Sequence, residues 1–516
     1  MDATRSQHGL VRRTMPIGLV RSRWGRWLVP AVTAVLAVAA SWLVPGTAQP
    51  ASLEEYARAV ADRVPERLER DGVPGAAVAV VVDGELVWAD GFGVADRDTG
   101  APVTGDTVFQ AGSISKSLMA WAVVALAEEG AVALDAPVEE QLEGWQFGDS
   151  PHRSRQVTPR RLLAHTAGLP FAIEGVPTSS AQLRDGQVDR ELFALEREPG
   201  EGFVYSNPGF ALLALLVEEA GDASLAEVMD EVVLGPIGMD DSTFTLDASL
   251  AERAATGYTA DGEPVPVDWA APVGASGLHT TSVDLARFVE ATVDADTGGG
   301  DVMGAEVLAE LHRPHVDTAG VPHALMADAS ALGHFVETLP NGERAVAHGG
   351  EEEGWVGGYI AVPATGDGLV VLTNSRRGYP LLIDEAAAWA DWRELDSLRL
   401  TRARDGLATA LRAVVGLLIG TGIVLLAGLL ADLATGRRRL APLSRARRVA
   451  RLARLAAAGV LAVAWWGVLA PPLATFVPRL THWTSAAVTL CAAALVASAA
   501  ATPTRGTPTG SRTRRR

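Results

Sequence analysis

Lysine is all but absent from this 516-residue chain: of its 44 basic residues, 43 are arginine and one, Lys116, closes the tetrad Ser113-Ile114-Ser115-Lys116. Arginine serves wherever only surface charge is wanted, but a guanidinium keeps its proton near neutral pH, whereas an amine with a lowered pKa sheds it. The lone lysine therefore marks a place where deprotonation matters. Cysteine is as scarce. Cys491 stands alone in an apolar run, which excludes an internal disulfide and a Cys-based metal site. No G-x-S-x-G sequence occurs, so a nucleophile elbow of that type is absent.

Acidic residues are scarce in the flanks. Residues 50–402 hold 59 Asp and Glu against 21 Arg and Lys116, whereas the remainder holds 22 Arg and three Asp. The acidic part repels phosphate backbones and speaks against a nucleic-acid partner. The basic remainder adjoins apolar runs, which points to membrane lipid.

Five arginines between Arg12 and Arg26 precede a charge-free run from Trp27 to Val44, so residues 1–48 read as a signal peptide or an N-terminal anchor. Charge-free runs recur at 413–431, 455–477 and 483–501, each about long enough for a transmembrane helix. Residues 433–454 carry eight arginines and no acid, and the tail 502–516 carries five more. The positive-inside rule puts both basic segments in the cytoplasm. The expectation is a multi-pass protein of the cell membrane with its acidic domain, about 50–400, outside the cytoplasm.

Within that domain, Ser52 and Glu55 form a capping box before apolar residues at helical spacing, ended by Asp71-Gly72. The runs 76–82 and 85–88 are β-rich and joined by Asp83-Gly84, a type I′ turn pair. Further strands are expected at 333–338, 343–347, 355–362 and 369–373. Helical patterns fill the middle, at 118–129, 210–220 and 282–293. The fold class is therefore α+β. An antiparallel sheet from both chain ends is flanked by helices, a mostly helical region is inserted between them, and a cleft is expected where the two regions meet.

Three short elements carry chemistry. If Ser113 begins a helix, Lys116 lies one turn later on the same face, an amine beside a hydroxyl that needs a base. Tyr205-Ser206-Asn207 precedes Pro208 and reads as a loop. A nearby ammonium would lower the Tyr205 phenol and let it relay protons, while Asn207 would hold a substrate amide or the Lys116 amine. His348-Gly349-Gly350 ends a strand, where glycines let substrate backbone approach and a main-chain N–H beyond them joins that of Ser113 as an oxyanion hole. His348 itself would donate a proton or contact a substrate carboxylate.

The ordered set Ser113-x-x-Lys116, Tyr205-x-Asn207, His348-x-Gly350 resembles the serine β-lactamase and penicillin-binding-protein superfamily. Tyr-x-Asn points to its class C branch, with D-alanyl-peptidases, aminopeptidases and esterases. Leu162 to Pro170 and Gly274 to Thr281 look like the same branch. The resemblance covers about 52–395 and implies Ser113 as acylated nucleophile, Lys116 and Tyr205 sharing the base role, Asn207 positioning substrate, and the N–H groups of Ser113 and Glu351 as the oxyanion hole. No metal and no cofactor are expected. Where class C β-lactamases use Lys-Thr-Gly, this chain has His348-Gly349-Gly350, without a permanent cation or a hydroxyl for a β-lactam carboxylate. Peptidases and esterases acting on small-molecule or peptide substrates are thus better models than a β-lactamase proper. The other alternative is a receptor or scaffold acylated without turnover, signalling through its membrane helices.

Other polar residues have plainer readings. His165 would fix a turn. His312 and His315 flank Pro314, which breaks any helix, and no carboxylate partner is specified for a metal. Glu351-Glu352-Glu353 reads first as a solvated acidic turn, and in its functional version as a cleft rim that disfavours anionic substrates.

Overall fold

The computed structural model describes residues 49–294, 303–320, 323–440 and 448–503. The expected signal or anchor, 1–48, and all but the first residues of the expected tail 502–516 lie outside them. The chain forms two compact units, one of residues 47–407 and one that takes in the C-terminal helices.

The first unit opens with helix α1, Leu53–Asp71. The Ser52 hydroxyl accepts the Glu55 N–H at 3.2 Å and the Glu55 carboxylate accepts the Ala51 N–H at 2.8 Å, so two donors at the helix start are satisfied. Strands β1, Gly75–Val82, and β2, Glu85–Gly93, follow as a hairpin. Asp83 and Gly84 both take positive φ, 53° and 82°, as a type I′ turn requires. The remaining strands of the main sheet are β3, Val316–Asp317, β4, Ala329–Ser330, β5, Phe335–Thr338, β6, Arg344–Glu352, β7, Trp355–Val362, and β8, Asp367–Thr373.

These eight strands pair antiparallel in the order β2-β1-β8-β7-β6-β5-β4-β3. Strands from the two chain ends thus meet at β1 and β8, Ala76 opposite Thr373. β1 reads Gly-Ala-Ala-Val-Ala-Val-Val-Val because both its faces are covered. Ala76, Val78 and Val80 pack with Tyr56, Val60 and Val64 of α1 and with Trp389 of α5, Tyr379–Trp392. Ala77, Ala79 and Val81 pack on the other side with Leu285, Phe288 and Val289 of α4, Ser282–Val293. The helical middle contributes α2, Ser115–Glu128, and α3, Asn207–Gly221, which share this second core.

In the C-terminal part, three helices are long and apolar enough to cross a membrane: Arg399–Ala434, Arg451–Leu469 and Pro478–Ala500. The first begins well before the expected 413, because Arg399, Arg402 and Arg404 are ordinary helix formers that a charge-based boundary leaves out. The second is followed by a separate short helix, Ala470–Phe476, within the run expected as one span.

Candidate active site

A single 3₁₀ turn, Gly112–Ile114, runs directly into α2, so Ser113 and Lys116 sit on consecutive turns. The Ser115 hydroxyl fixes that junction, donating to Gly112 O at 2.6 Å and accepting the Leu278 N–H at 3.0 Å. Lys116 Nζ lies 3.0 Å from Ser113 Oγ and donates to Ala275 O at 2.7 Å. Its side chain is wholly buried and, among the described residues, forms no ion pair. Burial brings its pKa down to about 7, opposed by the negative charge of Glu352. Ser113 remains partly exposed.

The second wall is the segment before α3. His165 holds it twice: its carbonyl accepts the Val204 N–H at 2.9 Å and its Nδ1 accepts the Ser206 N–H at 3.1 Å. To do so His165 takes a left-handed φ of 58°, the turn-fixing role the sequence suggests. Tyr205 is packed between rings, 4.4 Å from His165 and 4.7 Å from His323 centroid to centroid. Lys116 Nζ stands 4.9 Å from the Tyr205 ring centre.

Two expectations are corrected here. The phenol is not lowered by a neighbouring ammonium: burial raises its pKa above the ordinary value, and a hydrogen bond with the Ser113 side chain only partly offsets this. Desolvation dominates because the ring is closed in by its neighbours. Asn207 is not in a loop but is the first residue of α3, with Ser206 as N-cap accepting the Gly209 N–H at 3.2 Å. Pro208 sits in the first helical turn, where its missing N–H has no partner to lose. Asn207 Nδ2 donates to Ala172 O at 2.7 Å and does not hold Lys116, whose amine is held by the Ala275 carbonyl instead. Asn207 Oδ1 is buried without a donor.

The third wall is the end of β6. A Cβ placed on Gly350 would lie 1.9 Å from Ala111 O, and one on Gly112 would lie 2.7 Å from Glu351 N. The strand backbone therefore presses against the nucleophile turn, which only glycine at 350 permits, and brings Glu351 N close to Gly112, the residue before Ser113. His348 is buried, its Nδ1 2.6 Å from Gly349 O and its ring 5.0 Å from Phe335. Burial, reinforced by the Lys116 charge, holds its pKa well below the usual histidine value, so the imidazole is neutral.

The acidic run after Gly350 is a turn only from Glu353 on, and its side chains split. Arg376 binds both Glu351 and Glu353, and the Tyr379 hydroxyl donates to Glu351 at 2.8 Å. Glu352 turns the other way and is half-buried, near the Ser276 side chain and within electrostatic reach of Lys116 and Arg376, with burial pushing its pKa up. Sequence reasoning missed the Ala275 carbonyl and His323, and did not separate Glu352 from its two neighbours. Only Glu352 left a signal, the strand period continuing past Gly350.

The structure thus brings Ser113, Lys116, Tyr205, His348 and the Gly350–Glu351 backbone together, with Asn207 at the start of the adjoining helix. A hydroxyl beside a buried, titratable amine, with main-chain donors adjacent, has what acyl transfer through serine requires.

Known proteins are similar to this chain. The beta-lactamase family model matches residues 60–391. Esterase EstB of Burkholderia gladioli is 29% identical over 348 residues, covering 58% of this chain and 86% of that protein. Protein flp of Staphylococcus aureus (strain MRSA252) is 25% identical over 329 residues, covering 61% of this chain and 63% of that protein, so the chain spans under two thirds of its length. Among solved structures, the octameric penicillin-binding protein homologue from Pyrococcus abyssi superposes with a TM-score of 0.59 at 25% identity, covering 68% of this chain and 81% of that one. A single family model spanning most of the unit that bears the site settles the relationship: this chain belongs to the beta-lactamase family.

Proposed function

We propose that this chain is a serine hydrolase that forms an acyl-enzyme on Ser113 and acts on D-alanyl peptides, esters or related amides. The observation that carries the reading is the 3.0 Å approach of Ser113 Oγ to an amine that is buried and titrates near neutrality. Neutral Lys116 takes the hydroxyl proton as Ser113 Oγ attacks the scissile carbonyl. The tetrahedral oxyanion lies against the N–H groups of Ser113 and Glu351. Tyr205, which keeps its proton, passes it to the departing amine or alkoxide and is reprotonated from Lys116. Water then adds to the acyl-serine, its proton returns by the same relay to Ser113 Oγ, and the free acid leaves.

The name of the esterase relative supports ester chemistry. Neutral His348 supplies no fixed charge for a lactam carboxylate, which favours peptidase or esterase action over β-lactamase action. The three apolar helices suit a membrane anchor, and the placement of arginine suits a catalytic unit outside the cytoplasm, in keeping with a role in cell-wall metabolism.

The test is to treat full-length protein in detergent with a fluorophosphonate probe and map the adduct by mass spectrometry, alongside p-nitrophenyl ester hydrolysis. Label is expected on Ser113, and Ser113→Ala should lose both label and at least about 10³-fold in turnover. Undiminished hydrolysis by Ser113→Ala overturns the assignment. One stoichiometric acylation followed by silence would instead identify a receptor.

A further inference from the structure

The first helix of membrane-crossing length, Arg399–Ala434, begins inside the catalytic unit, which runs to residue 407. Its first residue is held by two acidic side chains and a carbonyl. The Arg399 N–H donates to Glu337 Oε2 at 2.8 Å, which satisfies one of the free donors of the helix start. The Arg399 guanidinium pairs with Asp328, and its Nε donates to Ala324 O at 2.9 Å. Ala324 lies in a single helical turn, His323–Met326, which the Ala327 N–H closes on His323 O at 3.1 Å. His323 stacks on Tyr205, with ring centroids 4.7 Å and planes 25° apart, and also meets Phe203 and Phe335. Leu398 and Thr401, to either side of Arg399, line one apolar cavity with Met326 and His348.

His323 differs from the other rings on Tyr205. His165 and Phe335 are buried in the domain, whereas His323 is half-buried and its turn contains no buried side chain. One helical turn without apolar burial does not hold itself in place, so the grip of Arg399 decides where His323 stands. His323 in turn covers Tyr205, whose ring centre is 4.9 Å from Lys116 Nζ. Water admitted at that point would solvate the ammonium form of Lys116 and make its proton harder to remove. We infer that Arg399 is a positioning residue: by clamping the His323 turn onto Tyr205, the head of the first membrane-length helix completes the dry surroundings in which Lys116 works. The helix that leaves the catalytic unit is thereby also part of its active-site wall. This deepens the serine-hydrolase reading and rests on Lys116 as its base.

The experiment follows kcat/KM of full-length protein in detergent for a p-nitrophenyl ester from about pH 6 to about pH 9. The titratable groups facing Lys116 are Tyr205, His165, His323, His348 and Glu352. Those facing Arg399 are Asp328 and Glu337, with Arg402 also acting on Glu337. Arg399→Gln should move the midpoint of the rising limb up by about one pH unit, read as a loss of about five-fold at pH 7 that is largely recovered at pH 9. His323→Ala should give the same shift, and the double variant no more than either, because one residue acts through the other. Arg404→Gln, which loses its pair with Asp384 further along the same helix, should leave the midpoint in place. So should Glu337→Gln, which keeps an acceptor for the Arg399 N–H. Equal losses at both ends of the pH range in Arg399→Gln would mark a merely structural role and overturn the inference. A limb abolished by Glu337→Gln, or moved as far by Arg404→Gln, would overturn it too. A wild-type limb that persists in Lys116→Arg would overturn the base assignment beneath it, whatever Arg399→Gln does.

Discussion

Two cations of this domain, Arg63 half-buried and Lys116 wholly buried, are treated in opposite ways. Arg63 of α1 meets Glu385 of α5, which is wholly buried, through paired hydrogen bonds of 3.0 and 2.5 Å. Lys116 has a carbonyl, a hydroxyl and aromatic faces about it and, among the described residues, no carboxylate in contact. The first arrangement fixes charge and ties two helices across one face of the sheet. The second withholds a counter-ion, so that burial makes the proton easy to remove. Stability and reactivity are thus assigned to different residue types, which is why a chain built on arginine keeps one lysine.

The sharpest way to break the comparison is to make Lys116 resemble Arg63. Lys116→Arg preserves charge and abolishes titration, and should lower kcat/KM by about 10²- to 10⁴-fold. Near-normal turnover would deny the amine a basic role. The converse change, Glu385→Ala, strands Arg63 and should cost about 3 kcal/mol in denaturant unfolding of the domain. Activity per folded molecule should remain, because this pair lies on the face of the sheet that carries α1 and α5. A loss of activity without a loss of stability would erase the division of labour. The smallest effect is in pH dependence. Protonated Lys116 cannot accept the Ser113 proton, so kcat/KM should rise with pH through about 7, close to ten-fold per unit below it, and then level. Lys116→Arg should flatten that limb. A wild-type limb unmoved by the substitution would assign the titration elsewhere.

Much of this was legible in the sequence, for local reasons. The hairpin at Asp83-Gly84, strand β7 and helix α4 follow from turn chemistry and apolar periodicity, and the order of the three short elements identified the family. What was not legible depends on contacts far apart in the chain. The amine of Lys116 is held by a carbonyl 159 positions away, and a backbone acceptor leaves no mark on residue type. The direction of the Tyr205 shift turned on how completely Lys116, His165 and His323 shut out water, which spacing does not encode. Asn207 was misplaced because the rule that proline disfavours helix before it yields at a helix start. Three consecutive glutamates looked uniform, whereas β6 continues through the first two and sends them to opposite sides.

The backbone contact at Gly350 has a last consequence. Because strand and turn meet with no side chain between them, the width of the cleft cannot be adjusted by substitution at the seam, where any methyl would collide with Ala111 O. New substrates must be accommodated by what projects from positions 348 and 352 on either side. Attempts to retune this hydrolase would therefore do best to randomise those two positions and leave the seam untouched.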